Sequence, residues 1–179
     1  MSVVSVYTML KNTDLHSLSA QEAIHEMMAY PSLVSLRRFG LWEVTLASSG
    51  DAALNEVQQI IDQSYYLLNP NKEHYFISNL PATPTSSAHV RFLIKVTNRL
   101  LQPDYDAIIE KIEKRVGVKV NALSYYLLWE VVVDRRNLSD TALRAEVEKK
   151  VIASADRAHG ILINPLYETM SFLEPAYAG

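Results

Sequence analysis

Two carboxylates follow the only two tryptophans in the chain: Glu43 in Leu41-Trp42-Glu43-Val44 and Glu130 in Leu128-Trp129-Glu130-Val131. On equivalent strands of a duplicated chain such a pair can converge as a general acid and a general base. Strand alternation offers a plainer outcome, with each Trp facing the core and each Glu facing water or a Lys or Arg of a partner. Arg37 and Arg38 are adjacent cations on an otherwise apolar strand, there either to guard a sheet edge with charge or to dock a partner. Asn69-Pro70 and Asn164-Pro165 are each followed by an acid, Glu73 and Glu168. Asn-Pro reads as a helix stop, and the Glu after it is available to a partner protein. The five His (residues 16, 25, 74, 89 and 159) include no pair at the i, i+4 spacing that places two imidazoles on one helix face for a metal. No Gly-rich phosphate loop and no nucleophile elbow occurs. No catalytic, cofactor-binding or metal-binding residue is therefore expected, and no cofactor.

Composition narrows the function classes further. The 179 residues are 49% hydrophobic and 21% charged, with seven Pro and five Gly, which describes a globular chain with material for a core and excludes disorder or low complexity as the theme. Seventeen basic against 20 acidic residues leave a net charge of −3, the wrong sign to draw in a phosphate backbone, so nucleic acid is not an expected partner. The absence of Cys removes disulfides, thiolate nucleophiles and cysteine-bound metals. The N-terminus lacks a basic segment followed by a long apolar one, and no run of about 18 apolar residues occurs, so a cytoplasmic protein without a membrane contact is expected.

An internal repeat positions these residues. The Leu-Trp-Glu-Val tetrapeptide recurs unchanged, and Leu67-Leu68-Asn69-Pro70-Asn71-Lys72-Glu73 is echoed by Leu162-Ile163-Asn164-Pro165-Leu166-Tyr167-Glu168. The offset is 87 residues from Trp42 to Trp129 and 95 from Asn69 to Asn164, so the second copy carries eight extra residues between the motifs. Asn79 to Ala88, with two Pro among small polar residues, reads as a linker. The expected division is a first repeat over 1–78, a linker over 79–88 and a second repeat over 89–179.

Hydrophobic periodicity gives each repeat the same order of elements. A strand around Val4 and Val6 precedes a helix with Ala20, Ala23, Ile24, Met27 and Met28 on one face, opened by a Ser19 to Glu22 capping box and stopped at Tyr30-Pro31. Val34 and Leu36, then Trp42, Val44 and Leu46, predict two strands or one long bent strand. A second helix from Asp51 carries Leu54, Val57, Ile60, Ile61, Tyr65 and Leu68 and ends at Asn69-Pro70. A short strand spans Glu73 to Ile77. In the second half Val90 to Val96 alternate, and Ile108, Ile109, Ile112 and Val116 form a helical stripe. Val118 to Val133 supply strands, and a helix from Ser139-Asp140 carries Leu143, Val147, Val151, Ala155, Ala158 and Leu162. The last helix is expected to run through Gly160 to Asn164-Pro165, with a C-cap at Gly160 as the alternative. Both halves read β-α-β-β-α-β, an α+β, ferredoxin-like arrangement with two helices on one face of an antiparallel sheet. Apolar residues on both parities of the central strands predict that the open face of one half packs on the other half or on a partner.

On these residues each half resembles the PurS family, the small subunit of phosphoribosylformylglycinamidine synthase. The resemblance lies in the two Asn-Pro-x-x-Glu segments, in Leu36-Arg37 to Leu46 with Arg37 and Glu43, and in Leu101-Gln102-Pro103-Asp104 with Ala107-Ile108. It covers nearly the whole chain as two tandem copies and implies a fused pseudo-dimer. It further implies a non-catalytic adaptor in purine biosynthesis. Such an adaptor docks a glutaminase subunit onto an ATP-dependent synthetase subunit so that ammonia passes between them, with self-association as a further possibility. The candidate interface or family-motif residues are Arg37, Arg38, Glu43, Asn69, Pro70, Glu73, Glu130, Asn164, Pro165 and Glu168. The alternative function is a ferredoxin-like regulatory module that binds a small molecule.

Overall fold

A computed structural model describes residues 1–83, 86–154 and 160–173. In chain order the elements are β1 (Ser2–Leu10), α1 (Leu15–Glu26), β2 (Leu33–Leu46), α2 (Asp51–Gln63), β3 (Glu73–Ile77), β4 (His89–Asn98), α3 (Tyr105–Val116), β5 (Val120–Asp134), α4 (Asp140–Val147) and β6 (Glu168–Leu173). The fold is α+β, with one antiparallel sheet of six strands whose neighbours run β3-β1-β2-β5-β4-β6. Of the two options for the middle of each repeat, the long strand is the one that forms. It runs unbroken through Gly40 in β2 and through Tyr126 in β5.

The chain condenses into two compact units that are not its two sequence halves. Unit 1 is Met1–Asn12, Phe39–Ala82 and Leu101–Tyr126; unit 2 comprises Thr13–Arg38 and the described residues of Thr83–Leu100 and Leu127–Gly179. Strands β2 and β5 each change unit partway along. Unit 1 packs Val4, Val6, Trp42, Val44 and Leu46 under α2, and brings Ile112 of α3 and Val120 and Leu123 of β5 into the same core. Unit 2 packs Ile94, Trp129, Val131 and Val133 under α4, and takes Ile24 of α1 and Leu36 of β2. Each core is thus closed by one helix from each repeat. The sequence halves do not stack sheet face on sheet face, as the mixed parity of β2 and β5 suggested, because these two strands are neighbours in the sheet. Mixed parity reflects burial on both faces of the central strands, with Leu128 and Val132 as buried as Val131.

Several helix ends differ from the periodicity. α1 starts at Leu15 because Asp14 caps it, its carboxylate accepting from the His16 N–H at 3.1 Å, so Ser19 and Glu22 lie inside the helix and form no capping box. Met27 is 73% exposed and outside the core, while Ala20 and Met28 pack against it. α2 ends at Gln63, where the Ser64 hydroxyl donates to the Ile60 carbonyl at 2.7 Å. Leu67 and Leu68 are still buried, which is why the apolar stripe overruns the helix.

α4 ends in a π turn, Glu148–Ile152, after which Ala153 is extended and bridges Ile163 in parallel. The helix has thus ended by Ala153, and Leu162 is buried beyond it; Ala155 and Ala158 lie outside the described residues. Gly160 is neither helical nor a helix C-cap. Its φ is +66° and its N–H donates to Lys150 O at 3.2 Å, and a Cβ there would sit 1.8 Å from Ala153 O.

Candidate functional site

Arg37 and Arg38 sit on β2, an interior strand, so they guard no edge. Successive side chains of a strand point to opposite faces, and the two guanidiniums serve two different sites in unit 2.

The first is a carboxylate cage. Glu130 is fully buried, yet charged partners close on both its oxygens. Arg37 Nε donates to Oε2 at 2.5 Å; Arg91 Nε and the Thr83 hydroxyl donate to Oε1, each at 2.6 Å. Arg37 Nη2 also donates to the Thr83 oxygen. Burial pushes the Glu130 carboxyl up, but the hydrogen bonds from Arg37 and Thr83 and the charges of Arg91 and Arg37 outweigh it and hold the group below its ordinary range. A carboxylate locked as an anion by four donated bonds or charges is a poor proton carrier at neutral pH. Arg91 Nη2 is buried with no hydrogen-bond partner among the described residues.

The second site lies around Trp129, whose ring belongs to the unit 2 core. Arg38 Cζ is 5.9 Å from the Trp129 ring centroid. Asp14 fixes the guanidinium from the α1 cap, accepting from Nε and from Nη2 at 2.9 Å each. An open cleft of about 430 Å³ adjoins this pair, with Leu15, Ala20, Ile161 and Leu162 as apolar lining. The volume falls within the usual range of small-molecule sites. Trp129 is 5% exposed, and its Nε1–H is a buried donor with no partner among the described residues. Such an orphan costs about 1–3 kcal/mol.

The remaining predicted residues fall into two self-contained turns. Asn69 Oδ1 accepts from Asn71 N at 3.0 Å, and Glu73 Oε2 accepts from Asn69 N at 2.7 Å. In the other copy Asn164 Oδ1 accepts from Leu166 N at 3.1 Å, and Glu168 Oε2 accepts from Asn164 N at 2.9 Å. The Asn-Pro-x-x-Glu sequence is thus one Asx turn made twice, with the Glu reaching back to the Asn N–H. It stops no helix: Pro70 and Pro165 lie in turns that lead into β3 and β6.

Glu43 is the counterpart of Glu130, and it lies in unit 1 opposite Ser5 of β1. At the offset of 87, Arg37 corresponds to Ser124 in the other copy. The structure therefore joins Arg37 with Glu130 and joins each Asn-Pro with its Glu.

Sequence reasoning missed Thr83, Arg91 and Asp14. Arg91 had a signal, since it interrupts the alternating Val90, Phe92, Ile94 pattern on the opposite parity. Among the described residues no group of three or more His, Asp or Glu is placed to hold a metal ion. No described helix is long and apolar enough to cross a membrane. No protein-family model, curated protein or solved structure matches the chain.

Proposed function

We propose that the chain is a non-catalytic adaptor of the PurS kind, a fused duplicate that holds a glutaminase subunit and an ATP-dependent synthetase subunit of phosphoribosylformylglycinamidine synthase together. The observation that supports this reading is the cross-assembly of its units. In unit 1 the neighbours β3-β1-β2-β5 with α2 and α3 follow a ferredoxin-like order whose first helix and second strand come from the other repeat. In unit 2 the neighbours β6-β4-β5-β2 with α4 and α1 follow the same order with the loan reversed. Two copies of a small subunit exchanging an element would make this arrangement as a homodimer, and a covalent linker would make the exchange permanent.

An adaptor needs rigid surfaces and no reactive side chains. Several of the predicted carboxylates and cations of this chain are engaged within the fold: Glu130 and Arg37 in the cage, and both motif acids in turns.

The test is reconstitution. The purified chain, mixed with the glutaminase and synthetase subunits of its own organism plus glutamine and ADP, should co-elute with both and raise glutamine-dependent amidation. If neither association nor stimulation is seen, the reading is wrong. A small-molecule module is the second reading, and the cleft at Trp129 is the observation that favours it.

A further inference from the structure

We infer that the cleft beside Trp129 is a binding site for a small organic monocarboxylate with an apolar body. The repeat supplies the comparison that carries this. Trp42 and Trp129 are equivalent, and at the same offset Tyr125 is equivalent to Arg38. Tyr105 and Leu15 are equivalent as the first residues of α3 and α1, each following an Asp cap.

In unit 1 the Tyr125 ring packs on Trp42, with centroids 4.7 Å apart. The Tyr105 hydroxyl accepts from Tyr125 N at 3.0 Å and donates to Gln102. The Tyr125 ring covers that indole, and the Tyr105 hydroxyl ties Tyr125 in place. In unit 2 the same two positions hold a guanidinium and an aliphatic side chain that is 68% exposed, and the space is open. An aromatic ring thus lies on Trp42 where a cleft adjoins Trp129.

The lining chooses the ligand. Arg38 Nε and Nη2 are taken by Asp14, which fixes the plane of the guanidinium and leaves Nη1 with no partner among the described residues. A held guanidinium with a free edge is an oriented donor for a carboxylate oxygen. The cleft also meets the start of α1 at His16, where the turn beyond the Asp14 cap holds no acid; the helix N-terminus adds a partial positive charge there. Asp14 already offsets the Arg38 charge, so an anion here meets only the Nη1 donor and the α1 N-terminus, which suits the single charge of a carboxylate better than the two of a phosphate dianion. The apolar lining and the Trp129 ring accept a ring or a short alkyl chain. The site stands whether or not the chain is an adaptor.

Phenylacetate is a suitable probe, with phenylacetamide as its neutral match, added to the full chain while the two indole N–H resonances are followed by NMR. Phenylacetate should move the Trp129 resonance saturably and leave Trp42 unmoved, and phenylacetamide should bind about tenfold more weakly or worse, as loss of a charged hydrogen bond requires. Leu15→Tyr, which copies Tyr105 at an exposed position, should abolish binding while the melting temperature holds. Arg38→Gln should erase the preference for the acid over the amide. No saturable change at Trp129 by about 10 mM, well above the affinity one oriented charge and a buried ring should reach, would overturn the site. Equal response of both indoles, or full binding by Leu15→Tyr, would overturn it as well. Equal binding of acid and amide by the unaltered chain would overturn the carboxylate class.

Discussion

Arg37 Nε lies 2.5 Å from Glu130 Oε2 across neighbouring strands, and no solvent reaches the carboxylate. Taking a carboxylate out of water costs several kcal/mol, so the cage contributes only because every partner is in place. Glu130→Gln keeps the shape but removes the charge that Arg37 and Arg91 face. A broken buried pair costs about 3–5 kcal/mol. Arg37 and Arg91 are 28% and 31% exposed, so water takes up part of the loss and about 2–4 kcal/mol is expected. Urea unfolding at pH 7 measures it, and a change under about 0.5 kcal/mol, typical of a surface substitution, would contradict the cage.

The same carboxylate sets a pH dependence. Its folded value is depressed, below about 4.3 for an unfolded Glu, so as the pH falls the unfolded chain takes up the proton first. The stabilisation is complete above the unfolded value and is lost as the pH drops through the folded one. Stability of the natural chain should fall over that acid window more steeply than that of Glu130→Gln. Parallel acid limbs for the two proteins would show that Glu130 is not held as an anion.

Thr83 ties the linker between the repeats to the cage, donating to Glu130 and accepting from Arg37. Thr83→Val keeps the volume and removes both bonds. The expected loss is about 1–3 kcal/mol, because a charged hydrogen bond goes and a buried carboxylate oxygen keeps one fewer donor. Thr83→Ser should recover most of it. Equal stability of Val and Ser at this position would mean the linker is held by something else.

The elements were legible where a period runs its full course. Ile108, Ile109, Ile112 and Val116 announce α3, and Val90, Phe92 and Ile94 announce β4. Ends were harder. Ser19 and Glu22 mimic a helix start that Asp14 already supplies one turn earlier, and Leu67 and Leu68 continue a stripe in backbone that is no longer helical. The exchange between repeats was not legible at all. Two copies with the same apolar faces fit either neighbour equally well, and what sends α1 to unit 2 is the unbroken run of β2 past Gly40. The cage was half legible. Leu128 to Val133 are apolar on both parities, so a Glu among them must be buried and must meet cations, but nothing in the sequence names a threonine in the linker as the third partner.

Gly160 and Gly50 separate strain from crowding. Both have positive φ, +66° and +59°, so Ala at either costs about 1–3 kcal/mol from backbone strain alone. At Gly50 a Cβ meets nothing within 4 Å, while at Gly160 it would lie 1.8 Å from Ala153 O and 2.7 Å from Ser154 N. Backbone atoms cannot give way as a side-chain tip can. Gly160→Ala should therefore cost at least about 2 kcal/mol more than Gly50→Ala, in the range of severe overpacking. Similar melting temperatures for the two variants would refute the tight return after α4.

The Asn-Pro-x-x-Glu turns give the sharpest separation between fold and partner binding. Glu73 and Glu168 accept the Asn N–H at 2.7 and 2.9 Å, and the Asn side chains close equivalent turns. Glu73→Ala and Glu168→Ala should each lose a partly exposed hydrogen bond to a charged acceptor, about 1 kcal/mol apiece. Lying in separate units, the two losses should add in the double variant. Since the carboxylates are engaged within their own turns, neither change should weaken association with the glutaminase and synthetase subunits proposed as partners by more than about twofold, the scale of a rim contact. Calorimetric unfolding of the single and double variants checks the first claim, and binding titrations checks the second. A loss of partner affinity of about tenfold or more, with stability unchanged, would show that these acids serve the interface and not the turn.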